Sequence, residues 1–554
     1  MVSPLNVQRK NVQRLLLLLA FIVPGAALAQ TLDGVFFQKT ATSYSIDDAS
    51  IPYAVRVEGA GEPWSHAERG PVEGLRILAR TPAGVLWLGG PQGAARFDPA
   101  ATERWERWQY FAGKRWLSDD SVRQIVVAQA PFETAWVRTS TGVSRIAFEP
   151  MTFAEKAGRF DAVVEARHVR HGFVSRSKLL TPGDLASSVT SDDDNDGLWT
   201  AMYLAAHAYR FRVTGDATAR INAERSLRAL MRLETIDPIP GYYARTYRRL
   251  DEPAPHQDNG EWHRVPGADL EWKSDTSSDE TVGHYYGYAI YFDLVANEAE
   301  KEEIRTYVRR LSDYLMANNY DLIDIDGLPT RWGRWNEEYF ATPEGDYERA
   351  LRALELLAIL KTTYHITGDS IYQHAYLDRV NRGYAHFTLE YRRWGSQEWE
   401  INYSDDELYF LAIFPLLSYE QDPALRATYI ETLRFTWSQV QPERNALWNY
   451  MAAALGAGPL TPRLAAESRL TLARTPLDLI EWSVSNSHRT DVRLNRSPDR
   501  HGLADLVYVL APDERRVMKH NGNPYTADGG AAGTTEEAPT FWLLPYWLGR
   551  HFGF

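Results

Sequence analysis

The chain has 554 residues, no cysteine and a formal net charge of −13. The missing cysteines exclude disulfides, zinc–thiolate sites, iron–sulfur clusters and thiol nucleophiles, and an acidic chain without a long basic stretch argues against nucleic acid as a partner. Aromatic residues are abundant, with 18 Trp and 30 Tyr; such rings fill large cores and also stack on the apolar faces of sugars, so the composition leans towards a glycan-handling protein.

Residues 1–29 hold a basic stretch (Arg9, Lys10, Arg14), an apolar run from Leu15 to Val23, and the small-x-small site Ala27-Leu28-Ala29. This is the pattern of a cleaved bacterial secretory signal, which predicts a periplasmic or secreted protein. No later segment reaches the ~18 apolar residues a spanning helix needs, so no membrane span is expected in the mature chain. Residues 30–150 read as strands and turns. "GLRILARTPAGVLWLGGPQGAARFDP" and "SVRQIVVAQAPFETAWVRTSTGVSRIAFEP" share one layout, and Trp87 and Trp136 set a repeat of about 49 residues, within the range of propeller blades. The two segments resemble the sensor-type propeller repeats that precede many bacterial signalling proteins. Two blades cannot close a ring, so a small antiparallel β domain of propeller-like repeats is expected, burying one face on its neighbour; a generic β-sandwich is the alternative. Residues 151–184 read as a linker.

From 185 the pattern turns helical. "GLWTAMYLAAHAYRFRVTGD" is apolar nearly all round and is followed by amphipathic "ATARINAERSLRALMRLE"; the device returns in "YERALRALELLAILKTTYHITGD" with "SIYQHAYLDRVNRGYAHFTLEY". Gly215 and Gly368 are placed to end one helix in the left-handed conformation, with Asp216 and Asp369 capping the next. "ETVGHYYGYAIYFDLV" and "DELYFLAIFPLLSYEQD" begin two more couples. Pairing an apolar helix with an amphipathic one is what a double-layered helical toroid requires. The pattern resembles the (α/α)6-type toroids of glycoside hydrolases and polysaccharide lyases, over roughly 185–554. The motifs "NDGLWT", "SSDE", "INYSDDEL" and "NGNPY…DGG" also resemble those of a group of secreted bacterial proteins, a likeness that brings no activity with it.

Acids crowd ahead of the apolar helices. Ser277–Glu280, Ser404–Glu407 and Thr534–Glu537 each fit a capping box, and acids in a first turn complement the helix dipole. The toroid resemblance implies that inner-helix N-termini converge on one face, so these acids would line a shared cleft. Glycoside hydrolysis needs two carboxyl groups, about 5–5.5 Å apart for retention or about 6.5–9.5 Å for inversion. Asp196, Asp279 and Asp406 are the leading acid–base candidates, with Glu280, Glu407 and Glu337 in reserve. Trp199, Trp335 and Tyr403 are candidate sugar platforms.

A lyase reading is the alternative: β-elimination on uronic-acid-containing glycans, with His284 or a neighbouring tyrosine such as Tyr286 as base. Arg331 would then serve a carboxylate, and Asn402 a position beside the cleft. "HNGNPYTADGGAAGTTEEAP" reads as a rim loop with Asn523 as a sugar contact. Asp192, Asp194 and Asp196 with Gly197 match the first half of an EF-hand loop, but Tyr203 stands where the bidentate acid belongs, so structural calcium is a weak option and no other cofactor is expected. A non-catalytic glycan-binding or sensor protein is the reading from another class. The expected partner is a poly- or oligosaccharide.

Overall fold

The computed structural model describes residues 32–252, 261–393, 402–495 and 505–554; the secretory-type segment lies outside them. About 45% of the described residues are helical, accompanied by small antiparallel sheets.

Two sheets open the chain. One orders β2 (Glu62–Pro63), β3 (Arg76–Arg80), β4 (Leu86–Gly90), β5 (Gly93–Phe97) and β6 (Trp108–Phe111) as a meander. The other orders β1 (Val35–Tyr44), β9 (Val143–Thr152), β8 (Thr134–Arg138) and β7 (Gln124–Ala128). The two similar segments thus each fold as a three-strand meander, with Trp87 and Trp136 on the middle strand.

Among the described residues, twelve helices longer than four residues follow, in pairs. The apolar members are α2 (Asp196–Thr214), α4 (Ser278–Leu294), α6 (Pro343–Thr367), α8 (Tyr403–Tyr419), α10 (Ala446–Ala454) and α12 (Thr540–Phe552). They touch in a closed circuit, each packing on the next and α12 returning to α2. Their partners outside are α3 (Ala217–Ile236), α5 (Glu298–Ala317), α7 (Ser370–Asn381), α9 (Pro423–Val440), α11 (Pro462–Arg474) and, against α12, α1 (Phe153–Arg167). The sequence pattern explains the layering: α2 buries every residue from Asp196 to Tyr209, whereas α5 buries a single stripe. Helix α1 falls in the stretch read as linker; its Phe160 ring meets Trp542 of α12 edge-on at 5.2 Å. Inner packing is closest where α4 crosses α2, since a Cβ at Gly283 would lie 2.7 Å from the Leu198 Cα.

Connections from inner to outer helix are short. Gly215 (φ 70°) and Gly368 (φ 75°) end α2 and α6 in the left-handed conformation, and Asp216 caps α3 by accepting from Thr218 N–H. Longer connections, 168–195, 237–277, 318–342, 382–402 and 475–539, lead to the next inner N-terminus. The β unit docks on the last of these through Trp105, whose Nε1 donates to Val509 O at 3.3 Å, and through a buried Lys39–Asp513–Arg474 cluster. Among the described residues no helix is long and apolar enough to cross a membrane.

Candidate functional site

None of the three expected capping boxes forms. Ser277 is the N-cap of α4 but its hydroxyl makes no cap bond. Helix α8 starts two residues earlier, with Asn402 as N-cap accepting from Ser404 N–H, and Thr535-Glu536 lie in a short strand ahead of α12. The acids are therefore free for tertiary partners.

Several candidates are held by cations or sealed in the core. Asp196 is fully buried and accepts from Arg170 at 2.6 Å and from Thr246 Oγ1 and Asp193 N–H, a satisfied internal ion pair. Asp406 is buried between Arg392 and the Tyr391 hydroxyl. Glu337 turns outward to Arg379 of α7 at 2.6 Å. Arg331 is exposed and paired with Asp275. Trp335 has no exposed ring face; its Nε1 donates to Glu355 at 2.8 Å. Tyr286 is enclosed within α4's packing against Phe414.

His284 and Glu280 form a sealed pair. The imidazole is fully buried, its Nδ1 2.8 Å from Glu280 O and its ring 4.8 Å from that of Tyr243; burial pushes its pKa down to about 4. The Glu280 carboxyl tucks under the first turn of α2. Neither of its oxygens closes a hydrogen bond, and burial, then the charges of Asp196 and Asp279, hold its pKa well above the carboxylate range, although Leu198 N–H and Arg245 favour the charged form.

Asp279 and Glu407 behave differently. Asp279 is half-buried at the mouth of the ring, and its negative charge raises the pKa of carboxyls on three inner helices: Glu280 of α4, Glu355 of α6 and Glu407 of α8. Glu407 is 1% exposed, and among the described residues neither oxygen has a hydrogen-bond partner. Burial first, then Asp279, push it up to about 8 against the pull of Lys519. It lines a narrow pocket with Trp199, Met202, Lys519, His520 and Phe541. The Lys519 ammonium sits 3.7 Å over the Trp199 ring and pairs with Asp193 at 2.7 Å.

A second acidic group borders the first. Asp405 accepts from Asn402 Nδ2 at 2.7 Å, and burial pushes it up to about 8. Glu443 is raised to about 8 by burial and by Asp406, with Arg392 3.7 Å away. Tyr403 is half-buried beside it, its hydroxyl pKa raised by burial and by Glu443. Asn523 is spent within the rim loop, donating to Asp505 and accepting from Tyr525 N–H.

The EF-hand-like acids are neutralised by the protein itself, Asp194 by Lys273 and Arg245 and Asp196 by Arg170. Among the described residues no group of three or more His, Asp or Glu side chains is arranged to hold a metal ion. Sequence reasoning passed over Lys519, Glu355 and Glu443. Glu355 had a signal, an acid inside the apolar run "LRALELLAIL"; Lys519 and Glu443 had none.

No protein-family model matches the chain, and no curated protein matches its sequence. Solved structures with a similar trace include a sugar epimerase from a ruminal bacterium, at 9% identity and TM-score 0.39, covering 72% of this chain and 98% of that one. AaCel9A in complex with cellobiose-like isofagomine aligns at 13% identity and TM-score 0.42 over 94% of this chain and 99% of that one. A glycoside hydrolase family 76 mannosidase from Bacteroides thetaiotaomicron aligns at 12% identity and TM-score 0.29 over 72% and 98%. At such identity and TM-score these likenesses assign no activity to this chain.

Proposed function

We propose that this is an exported carbohydrate-active enzyme with an (α/α)6-type toroid behind a propeller-like β unit, hydrolysing glycosidic bonds with Glu407 as proton donor and Asp279 as the second carboxylate. The observation that carries the reading is the Glu407 carboxyl: buried, unpartnered, raised to about 8 and lining a pocket beside Trp199. A carboxyl kept neutral at pH 7 is what a general acid for glycoside cleavage must be. Glu407 gives its proton to the glycosidic oxygen as the C–O bond breaks. Asp279 either takes a proton from the water that attacks the anomeric carbon or attacks that carbon itself, the choice following the carboxyl separation. Trp199 borders the same pocket with Lys519 over its ring. Elimination draws no comparable support, because His284 and Tyr286 are enclosed.

Incubation with a broad polysaccharide panel, reading new reducing ends and ultraviolet absorbance together, tests this. Reducing ends without absorbance, abolished in Glu407→Gln, are the expected result. Absorbance rising with them means an unsaturated uronate and a lyase; glycan bound but unchanged means a binding protein.

A further inference from the structure

The Glu407 pocket continues into a second one, with Lys519, His520 and Phe541 lining both. The second is lined by four basic side chains, Arg515, Arg516, Lys519 and His520, and by one acid, Glu443. Lys519 is matched by Asp193 at 2.7 Å and Glu537 at 4.0 Å, and burial holds His520 neutral, its pKa down at about 3. Burial and Asp406 raise Glu443 to about 8, and it already faces Arg392 at 3.7 Å.

The two arginines remain. Arg515 donates from Nη1 to Pro524 O at 3.2 Å, and among the described residues no carboxylate comes within ion-pair distance of it. Burial and the neighbouring arginine depress its pKa, to about 10, against the pull of Glu443. Arg516 has a buried Nε with no hydrogen-bond partner and no carboxylate within ion-pair distance among the described residues; its charge reaches Glu481 only at longer range. The neighbouring His520 also keeps a buried, unpartnered Nε2. Enclosing guanidinium groups without a counter-charge is costly, and their planar fork matches a carboxylate or another oxyanion with two parallel hydrogen bonds.

We infer that this pocket receives an anionic substituent of the glycan, a uronate carboxylate or a sulfate ester, on Arg515 and Arg516. The inference rests on the hydrolase reading and names its substrate class: an acidic rather than a neutral glycan, with the charged group one pocket away from Glu407.

Calorimetry on the full chain tests it with glucuronate, galacturonate and glucose 6-sulfate, each against glucose or galactose. At least one charged sugar should bind about tenfold or more tighter than its neutral counterpart, with affinity falling as salt is added. Which of the charged sugars binds separates carboxylate from sulfate recognition. Arg516→Gln should remove the preference and Arg516→Lys keep part of it, with thermal melting confirming that both variants fold. Charged sugars binding no tighter than neutral ones, or a preference untouched in both Arg515→Gln and Arg516→Gln, overturns the inference. Glu407→Gln keeps the preference while losing turnover. A wild-type chain that prefers charged sugars yet cleaves no acidic glycan sinks the hydrolase reading and leaves the anion site; one that cleaves neutral glycans without charge preference does the reverse.

Discussion

The carboxyl of Glu280 occupies the space that a side chain at Gly197 would need: a Cβ built there lies 2.0 Å from Glu280 Oε2 and 2.8 Å from His284 Cε1. The glycine beside Asp196 thus makes room for a buried acid on the neighbouring inner helix. Gly197→Ala should destabilise the fold by about 1–3 kcal/mol through overpacking. In a Glu280→Ala background the cost should shrink, because the two residues share one space. Denaturant melts of the four chains in that cycle measure it.

Glu407→Gln should reduce turnover by about 10²–10⁴-fold, the usual contribution of a positioned proton donor, without loss of folding. Its effect on stability has a definite sign. The folded pKa, about 8, lies above the ordinary glutamate value of 4.5, so the folded chain holds a proton that the unfolded chain has released. The stabilisation is complete below 4.5 and is lost as pH rises through 8, with a slope of up to about 1.4 kcal/mol per pH unit for one proton. Chemical denaturation at several pH values should show that slope reduced in Glu407→Gln.

Lys519→Met should move the alkaline limb of the pH–rate profile upward. The ammonium favours the ionised form of Glu407, so removing it keeps the acid protonated to higher pH. A limb that stays in place, or moves down, means Glu407 is not the proton donor.

Asp196→Ala should damage folding more than chemistry. It removes the nearer carboxylate from buried Arg170, leaving Glu252 at 3.5 Å, and breaking such a pair costs up to about 3–5 kcal/mol. The melting temperature should fall steeply, while any folded fraction retains activity per molecule.

The helix pairs and their turn glycines could be read from the chain because each depends on residues adjacent in sequence, although only Asp216 caps as expected; Asp369 makes no cap bond and pairs with Arg309. The carboxyl roles could not. Ser277–Glu280 has the letters of a capping box, yet the Glu280 carboxyl lies under α2, a helix some eighty residues earlier. Asp406 and Glu407 are neighbours, and on paper Asp406 had the better claim, Glu407 fitting a capping box. Arg392 takes the first, and the second turns into the pocket, a divergence fixed by a partner in another loop. Trp335 looked like a platform among arginines and instead donates to Glu355 inside the ring. The segment 151–184 looked like spacing because α1 has only a modest apolar stripe, and the surface it covers is supplied by the far end of the chain.

That seam governs how the molecule is assembled. Helix α1 has to wait for α12, and Leu32 packs on Gly549 while Asp33 pairs with Arg550 at 3.0 Å. As the chain emerges from its N-terminus the five intervening hairpins can form one after another, but they make an open arc with both flanks unsealed until the last helix arrives. Pairing segments so distant in sequence is slow, and the exposed apolar flanks make the arc aggregation-prone in the interval. The closing step, not the hairpins, should therefore decide the yield of native protein on refolding.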